Sequence, residues 1–419
     1  MDFSRSYEAV KKIADQIYAN PELGYKETNT KELVLDYLTQ VNPDIEVQHF
    51  STTGFRTTLG SGEKPLHIAF IAELDAVYAP SHFRAGPENG AAHNCGHYTQ
   101  VAIALALYQQ LFESGRYEAF DYKLSFIFVP AEEYLDLAYR EELRREGTIT
   151  HYGGKPEAVK LGVFDDIDIS MCVHAIGGEF EQRTVEVNSD LAGFLYKKYH
   201  FKGKASHAGL DPFSSVNAYN ISTLFNTAVG LSRQQIDEKE MVRMNPIVMD
   251  SDMSTNVVPN HITVGTDLRA QSLTYMKEAA DRLDHAAEGS SRALMGDVDI
   301  ETQMGYLPFK QDRYLSTFAE AAFEKNDQIP KLMSSNPISA AGDIGDLSYM
   351  MPCIQIGYSG FTGTIHGDDF MDIDPVFIYQ IFPQFLADVL EEMNGNIDRE
   401  NVYSRSYEDY VNVISSMTE

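Results

Sequence analysis

Residues 92–98 read Ala92-His93-Asn94-Cys95-Gly96-His97-Tyr98, which sets a thiol and two imidazoles within five residues. Cys, His and carboxylate side chains gathered this closely suit a borderline-soft divalent metal such as zinc. Upstream, the apolar run His67 to Ala72 reads as a strand and leads into Glu73 and Asp75. Downstream, Glu132-Glu133 follow the apolar strand Leu124 to Pro130, His174 ends the apolar run Ile169 to Val173, and His366 sits in a Gly-rich loop. Each stands at the C-terminal end of a strand-like segment, where open α/β sheets build their sites. The expectation is a metal centre assembled from four such places.

The same alternation decides the fold class. Helical periodicity covers roughly Ser6 to Ala19, Glu27 to Gln40, Gln100 to Ser114 and Leu135 to Glu146, between the strands just named. That is a doubly wound α/β plan. From about Ala192 the pattern changes to strand Phe194–Phe201, helix Ser214–Gln235, strands Val242–Met249 and Ile262–Leu268, helix Thr274–Ser290 and strand Val298–Met304. Four strands and two helices in this order predict a compact inserted α+β sheet with its helices on one face. The α/β character then returns with helix Arg313–Asn326, strand Cys353–Ile356 and helix Pro375–Met393. The expected division is a discontinuous catalytic domain, 1–190 and 305–419, around an insert at 191–304. The tail from Gly395 is polar, with one weak amphipathic stretch around Tyr407 to Ile414.

Composition bounds the function. At 419 residues and 43% hydrophobic content the chain can fill the cores of two domains. Its 62 acidic against 33 basic residues give a formal charge of -29, which repels phosphate backbones and anionic membrane surfaces. Nucleic acid and membrane are therefore not expected as partners. Solubility explains the excess more simply than salt adaptation does. The amino terminus lacks the charged-then-apolar order of a signal peptide, and no apolar run reaches the roughly 18 residues that span a bilayer, so a cytoplasmic location is expected. Three cysteines are too few and too scattered for a disulfide framework. Cys172 and Cys353 lie in apolar runs; Cys95 alone has polar neighbours.

Taken in order, the chain resembles the zinc-type peptidase and amidohydrolase family of aminoacylase, auxin-conjugate amidohydrolase and p-aminobenzoyl-glutamate hydrolase. The resemblance runs to about Met393 and rests on His67 to Asp75 with Ala76-Val77, His93-Asn94-Cys95-Gly96-His97, Pro130-Ala131-Glu132-Glu133, Val173-His174-Ala175, Gly203 to Gly209, Asn256-Val257-Val258-Pro259 with Asp267-Leu268-Arg269, Gly342 to Asp346, and Thr364-Ile365-His366. The Cys-Gly-His form looks like the amidohydrolase branch; the aminopeptidase branch carries an Asp where Cys95 stands.

The resemblance implies that Cys95, His97, Glu133, His174 and His366 hold one or two divalent ions, zinc or manganese, and that Glu132 is the general base. It puts Asp75 and Tyr98 behind the ligands. Glu73 stands where the aminopeptidase branch has a metal-binding His, and reads either as a ligand or as a neighbour of the ligands. Two departures bear on the metal. Tyr98 replaces an acidic residue that usually follows Cys-Gly-His, and Ile176-Gly177-Gly178 lack the usual Pro; a phenol supplies no negative charge near neutral pH. In the insert, His207 is implied as an oxyanion donor reaching into a partner subunit of a homodimer, with Asn256 and Arg269 binding substrate. Asp343 and Asp346 either line the pocket or cap the following helix.

The function expected is metal-dependent hydrolysis of a C–N amide bond in a small carboxylate-bearing molecule, an N-acyl amino acid or aminobenzoyl-type conjugate. The alternative is a metal-dependent aryl-amine hydrolase releasing ammonia from an aminobenzoate-like substrate. A non-catalytic scaffold is a third class, against which the intact Glu132-Glu133 pair and the five ligands argue.

Overall fold

A computed structural model describes residues 1–251 and 254–418. They divide into two compact units: Met1–Ser189 with Lys310–Asn336 and Asp346–Tyr407, and Asp190–Phe309 with Pro337–Gly345 and the stretch from Glu408 on.

The first unit is built on an eight-stranded sheet in the order Gln48–Phe50, Gly54–Leu59, Tyr122–Val129, Leu66–Glu73, Ile169–Ala175, Cys353–Tyr358, Thr184–Val187, Lys331–Ser334. Its four central strands, Tyr122–Val129 through Cys353–Tyr358, run parallel. Leu66–Glu73 is buried at every position, as a parallel strand covered on both faces must be. Helix His97–Ser114 lies against that strand and is buried on nearly all sides; alanines at 102, 104 and 106 let it approach closely. Leu66–Glu73 pairs with Tyr122–Val129 on one edge and with Ile169–Ala175 on the other. The chain order thus reverses beside Leu66–Glu73, and the crevice outside the carboxyl ends at such a reversal is where these sheets bind ligands.

The expected helix Pro375–Met393 is interrupted: Phe377–Ile381 is a π-helical turn, followed by the α-helix Phe382–Met393. Pro383 has no N–H and its ring would strike the carbonyl four residues back, so the wider turn accommodates it.

The second unit is an antiparallel sheet with helices Ala218–Ser232 and Leu273–Ala293, which pack against its strands. Gly193–Lys202 is its centre, flanked by His261–Ala270 and Asp297–Tyr306 over ten-residue strands. The single strand expected at Val242–Met249 is two short ones, Arg243–Met244 and Ile247–Ser251, both paired with His261–Ala270. Pro246 lies between them and cannot donate to the ladder, while Asn245 gives its N–H to the Thr266 hydroxyl. The sheet therefore has five strands where four are expected. Helix Tyr407–Thr418 buries Tyr410 and Met417, and Lys277 Nζ donates to the Ser416 carbonyl. That contact ties the tail helix to the second unit, and bonds from Arg269 to the Ser339 carbonyl and from Gln271 to the Ile338 carbonyl tie 337–345 to it, whereas the sequence assigns both stretches to the first.

Candidate metal centre

All five residues expected as ligands lie in the first unit, at the carboxyl ends of its parallel strands. Cys95 and His97 meet at the start of helix His97–Ser114, which begins at Gly96 with φ 93°. A Cβ there would stand 2.8 Å from the Ala175 Cβ, so glycine is required both for the turn and for the close pass over strand Ile169–Ala175. Glu132 and Glu133 follow strand Tyr122–Val129, and His174 is the last residue but one of Ile169–Ala175. His366 comes from the loop after Cys353–Tyr358 and has a left-handed φ of 65°. Its backbone N–H donates to the Asn94 carbonyl at 2.7 Å, and Asn94 Nδ2 donates to Gly367 O at 3.1 Å. A fully buried asparagine next to Cys95 thus fixes the loop that carries His366, the candidate ligand most distant in sequence.

The donor atoms form two groups that share Cys95. Cys95, His97 and His174 make one, and Cys95, Glu133 and His366 the other, each with ligand atoms within 4.8 Å of one another. Cys95 Sγ is 3.6 Å from His174 Nε2, and His366 Nε2 is 3.0 Å from Glu133 Oε1. The tautomers are set from behind. His97 Nδ1 donates to Asp75, 2.9 Å to its carbonyl and 3.2 Å to Oδ1, and His174 Nδ1 donates to the Ala175 carbonyl at 2.9 Å. Both Nε2 atoms therefore face the cage, the arrangement by which outer partners orient metal-binding imidazoles. Asp75 also accepts the Glu133 N–H at 3.0 Å, so one carboxylate aligns a residue of each group. Glu132 Oε2 stands 3.9 Å from His97 Nε2, with its side chain 12% exposed.

The electrostatics are those of a cage for a cation. Burial and Glu133 push the Cys95 thiol up, but His97 and His174 outweigh them and bring it down to about 6. Burial opposes ionisation of Glu133, yet His366 holds it at about 2. Burial opposes the charged form of His366, and Cys95 and Glu133 raise it to about 11. His97, against its own burial, is held well above the usual histidine range by Cys95 and Glu73. Imidazoles among a thiolate and carboxylates thus bind protons that a divalent cation displaces. His97 Nε2 is buried, and although Glu73 Oε2 is 3.0 Å away the geometry makes no hydrogen bond. An orphaned ring nitrogen facing a thiolate, a second imidazole and two carboxylates fits zinc or manganese.

Three residues of the site carry no signal in sequence. Lys155 and Gln100 both bond the Glu73 carboxylate, Lys155 Nζ to Oε1 at 2.5 Å and Gln100 Nε2 to Oε2 at 2.7 Å. Glu27, fully buried, accepts from the Ala131 N–H at 2.9 Å and from the Thr53 hydroxyl at 2.6 Å. His93 is also buried, with no hydrogen-bond partner at either ring nitrogen among the described residues, and belongs to neither ligand group.

Tyr98 is placed differently from expectation. It is buried, but its hydroxyl donates to Asp372 Oδ1 at 2.7 Å on the short strand Met371–Asp372, and its ring packs on Tyr18 and His93, so the phenol oxygen is engaged there and not by the ligand groups. His207, Asn256 and Arg269 lie in the second unit. His207 Nδ1 accepts from the N–H groups of Gly209 and Leu210, both at 3.1 Å, which makes the exposed Nε2 the N–H donor. The Asn256 carbonyl accepts from Ala208 N, tying the two loops together. Arg269, expected to be held for a substrate anion, donates to Asp267 Oδ2 and to the Ser339 carbonyl, each at 3.1 Å. Asp343 and Asp346 are both fully buried and flank the start of helix Ile344–Met350.

The sequence profile of peptidase family M20/M25/M40 matches residues 69–376. A chain of p-aminobenzoyl-glutamate hydrolase from Escherichia coli (strain K12) is 28% identical over 71% of this chain and 58% of its own length. The match therefore spans less than two thirds of that relative. The Xaa-Arg dipeptidase of Mus musculus is 24% identical over 82% of this chain and 74% of its own. Among solved structures, a dinuclear metal-binding peptidase of the M20 family from Bacillus subtilis superposes with a TM-score of 0.75 at 16% identity, covering 94% of this chain and 100% of that one. That likeness bears out the doubly wound domain with its inserted sheet. The profile covers well over half of the sequence and takes in all five cage residues: the chain belongs to peptidase family M20/M25/M40.

Proposed function

We propose that the protein is a metal-dependent amidohydrolase that cleaves the C–N amide bond of a small carboxylate-bearing molecule, an N-acyl amino acid or an aminobenzoyl-type conjugate. One observation carries the reading: Cys95 is common to two groups of potential ligands, Cys95-His97-His174 and Cys95-Glu133-His366. The residues would hold two divalent ions, one with Cys95, His97 and His174, the other with Cys95, Glu133 and His366. Ions so held supply Lewis acidity toward a carbonyl and toward water. Glu132 takes a proton from the attacking water and returns it to the leaving nitrogen, a role its slightly exposed, poorly hydrated carboxylate suits. Asp75 keeps His97 in the tautomer that faces the cage.

The second unit supplies recognition in this reading, and the working form is a cytoplasmic homodimer. His207, with its Nε2–H exposed, donates to the oxyanion of the tetrahedral intermediate from a second copy of the chain. Arg269 and Asn256 bind the substrate carboxylate. The Arg269–Asp267 pair is partly exposed, at 33% and 43%, so exchanging Asp267 for a substrate carboxylate costs little, about 1 kcal/mol or less. The name of the 28% identical relative, an aminobenzoyl-glutamate hydrolase, supports an amide of this kind.

The test is Glu132→Gln, assayed on a panel of N-acyl amino acids and aminobenzoyl conjugates with released amino acid and ammonia measured separately. The variant keeps its metal and slows by about 10²-fold or more. An unchanged rate removes Glu132 as the base, and ammonia as the product replaces amide cleavage with deamination.

A further inference from the structure

Glu73 is within reach of the cage. Its Oε2 lies 3.0 Å from His97 Nε2, and Glu73, His97 and Glu132 offer three donor atoms within 4.8 Å of one another. A carboxylate at that distance from a ligating nitrogen is a ready further ligand. Both its oxygens are nevertheless engaged by other partners. Lys155 Nζ binds Oε1 at 2.5 Å and Gln100 Nε2 binds Oε2 at 2.7 Å, and the backbone N–H of Glu73 donates back to Gln100 Oε1 at 3.4 Å.

The fold goes to some length to put the ammonium there. Lys155 has no exposed surface, on the short helix Gly154–Lys160. The residue before it permits this: a Cβ on Gly154 would lie 1.7 Å from the Pro130 carbonyl oxygen, so only glycine lets that helix press against the segment leading to Glu132 and Glu133. Burying an ammonium is costly unless it is paired with good geometry.

We propose that Lys155 is a positioning residue that holds Glu73 out of the coordination of the ion at His97, leaving a position open for substrate. Catalytic sites differ from closed structural ones by such an open position. The proposal rests on the metal centre described above and assigns Glu73 as a neighbour of the ligands, with Gln100 as the second restraint. Without the ammonium, Glu73 turns to the ion at His97 and closes the site.

The experiment measures zinc affinity, by competition with a chromophoric chelator, together with turnover at saturating zinc. It compares wild type, Lys155→Met, Lys155→Gln and the double variant Lys155→Met/Glu73→Gln. Lys155→Gln removes the ammonium charge while keeping a polar side chain in its place, and covers the case in which Lys155→Met does not fold. The single variants bind zinc at least tenfold more tightly than wild type and turn over at least tenfold more slowly, and the double variant loses the gain in affinity. Equal or weaker zinc binding in the single variants, or tightening that persists without the Glu73 carboxylate, overturns the proposal. Absence of zinc binding in the wild type itself overturns the metal centre, and this proposal with it.

Discussion

Replacing Glu27 by Gln stabilises the metal-free protein, and does so more strongly as the pH rises. Glu27 lies fully buried behind the cage, where burial first and the Asp75 carboxylate second raise its carboxyl from 4.5 to about 7. Between those values the folded protein keeps a proton that the unfolded chain has released. The folded state then binds more protons than the unfolded one, so stability falls as pH climbs through this window. The gap between 4.5 and about 7, at 1.36 kcal/mol per pKa unit, comes to about 3 kcal/mol as a ceiling. Glutamine keeps the shape: its carbonyl oxygen accepts from the Ala131 N–H and its amide donates to the Thr53 hydroxyl, the two partners Glu27 now has. Thermal unfolding is followed for both proteins at pH 5, 6, 7 and 8 after chelator treatment, because a divalent cation near Asp75 would itself favour the carboxylate. The two are close at pH 5, and the variant gains several degrees by pH 8. A difference that stays flat, or that favours wild type at pH 8, refutes the account of Glu27.

Two further outcomes concern the second unit. Inactive Glu132→Gln and His207→Ala proteins regain part of the wild-type rate when mixed and allowed to exchange subunits; no recovery despite demonstrated exchange places His207 in the same chain's site. Wild type prefers a free-acid substrate to its methyl ester by about tenfold or more, and Arg269→Ala loses most of that preference through KM, the signature of lost binding. Equal use of acid and ester by wild type makes the Arg269–Asp267 pair structural.

The candidate ligands are legible in the sequence because they announce themselves in short windows. Cys95 and His97 are two residues apart, Glu132-Glu133 are adjacent, and His174 closes an apolar run, so local pattern alone puts each at a strand end. What escapes are residues whose meaning lies in a distant partner. Lys155 reads as an ordinary helical lysine, yet it is wholly buried because Glu73, 82 positions earlier, neutralises it. Glu27 begins a helix in the sequence and is buried by contacts with Thr53 and Ala131. Asn94 sits inside the motif, but its work on the His366 loop crosses more than 270 positions. Arg269 reads as held for an anion; the anion nearest it is Asp267, two residues back on the same strand and so on the same face. Short strands such as Thr184–Val187 and Lys331–Ser334 carry too few residues for their period to show.

The central claim is that one thiolate serves both ion positions. Metal bound per chain, measured by elemental analysis after dialysis against limiting zinc, tests it in wild type and in Cys95→Ala. The account predicts two equivalents in wild type and neither position retained in the variant, since Cys95 belongs to both groups. A variant that still holds two equivalents contradicts it.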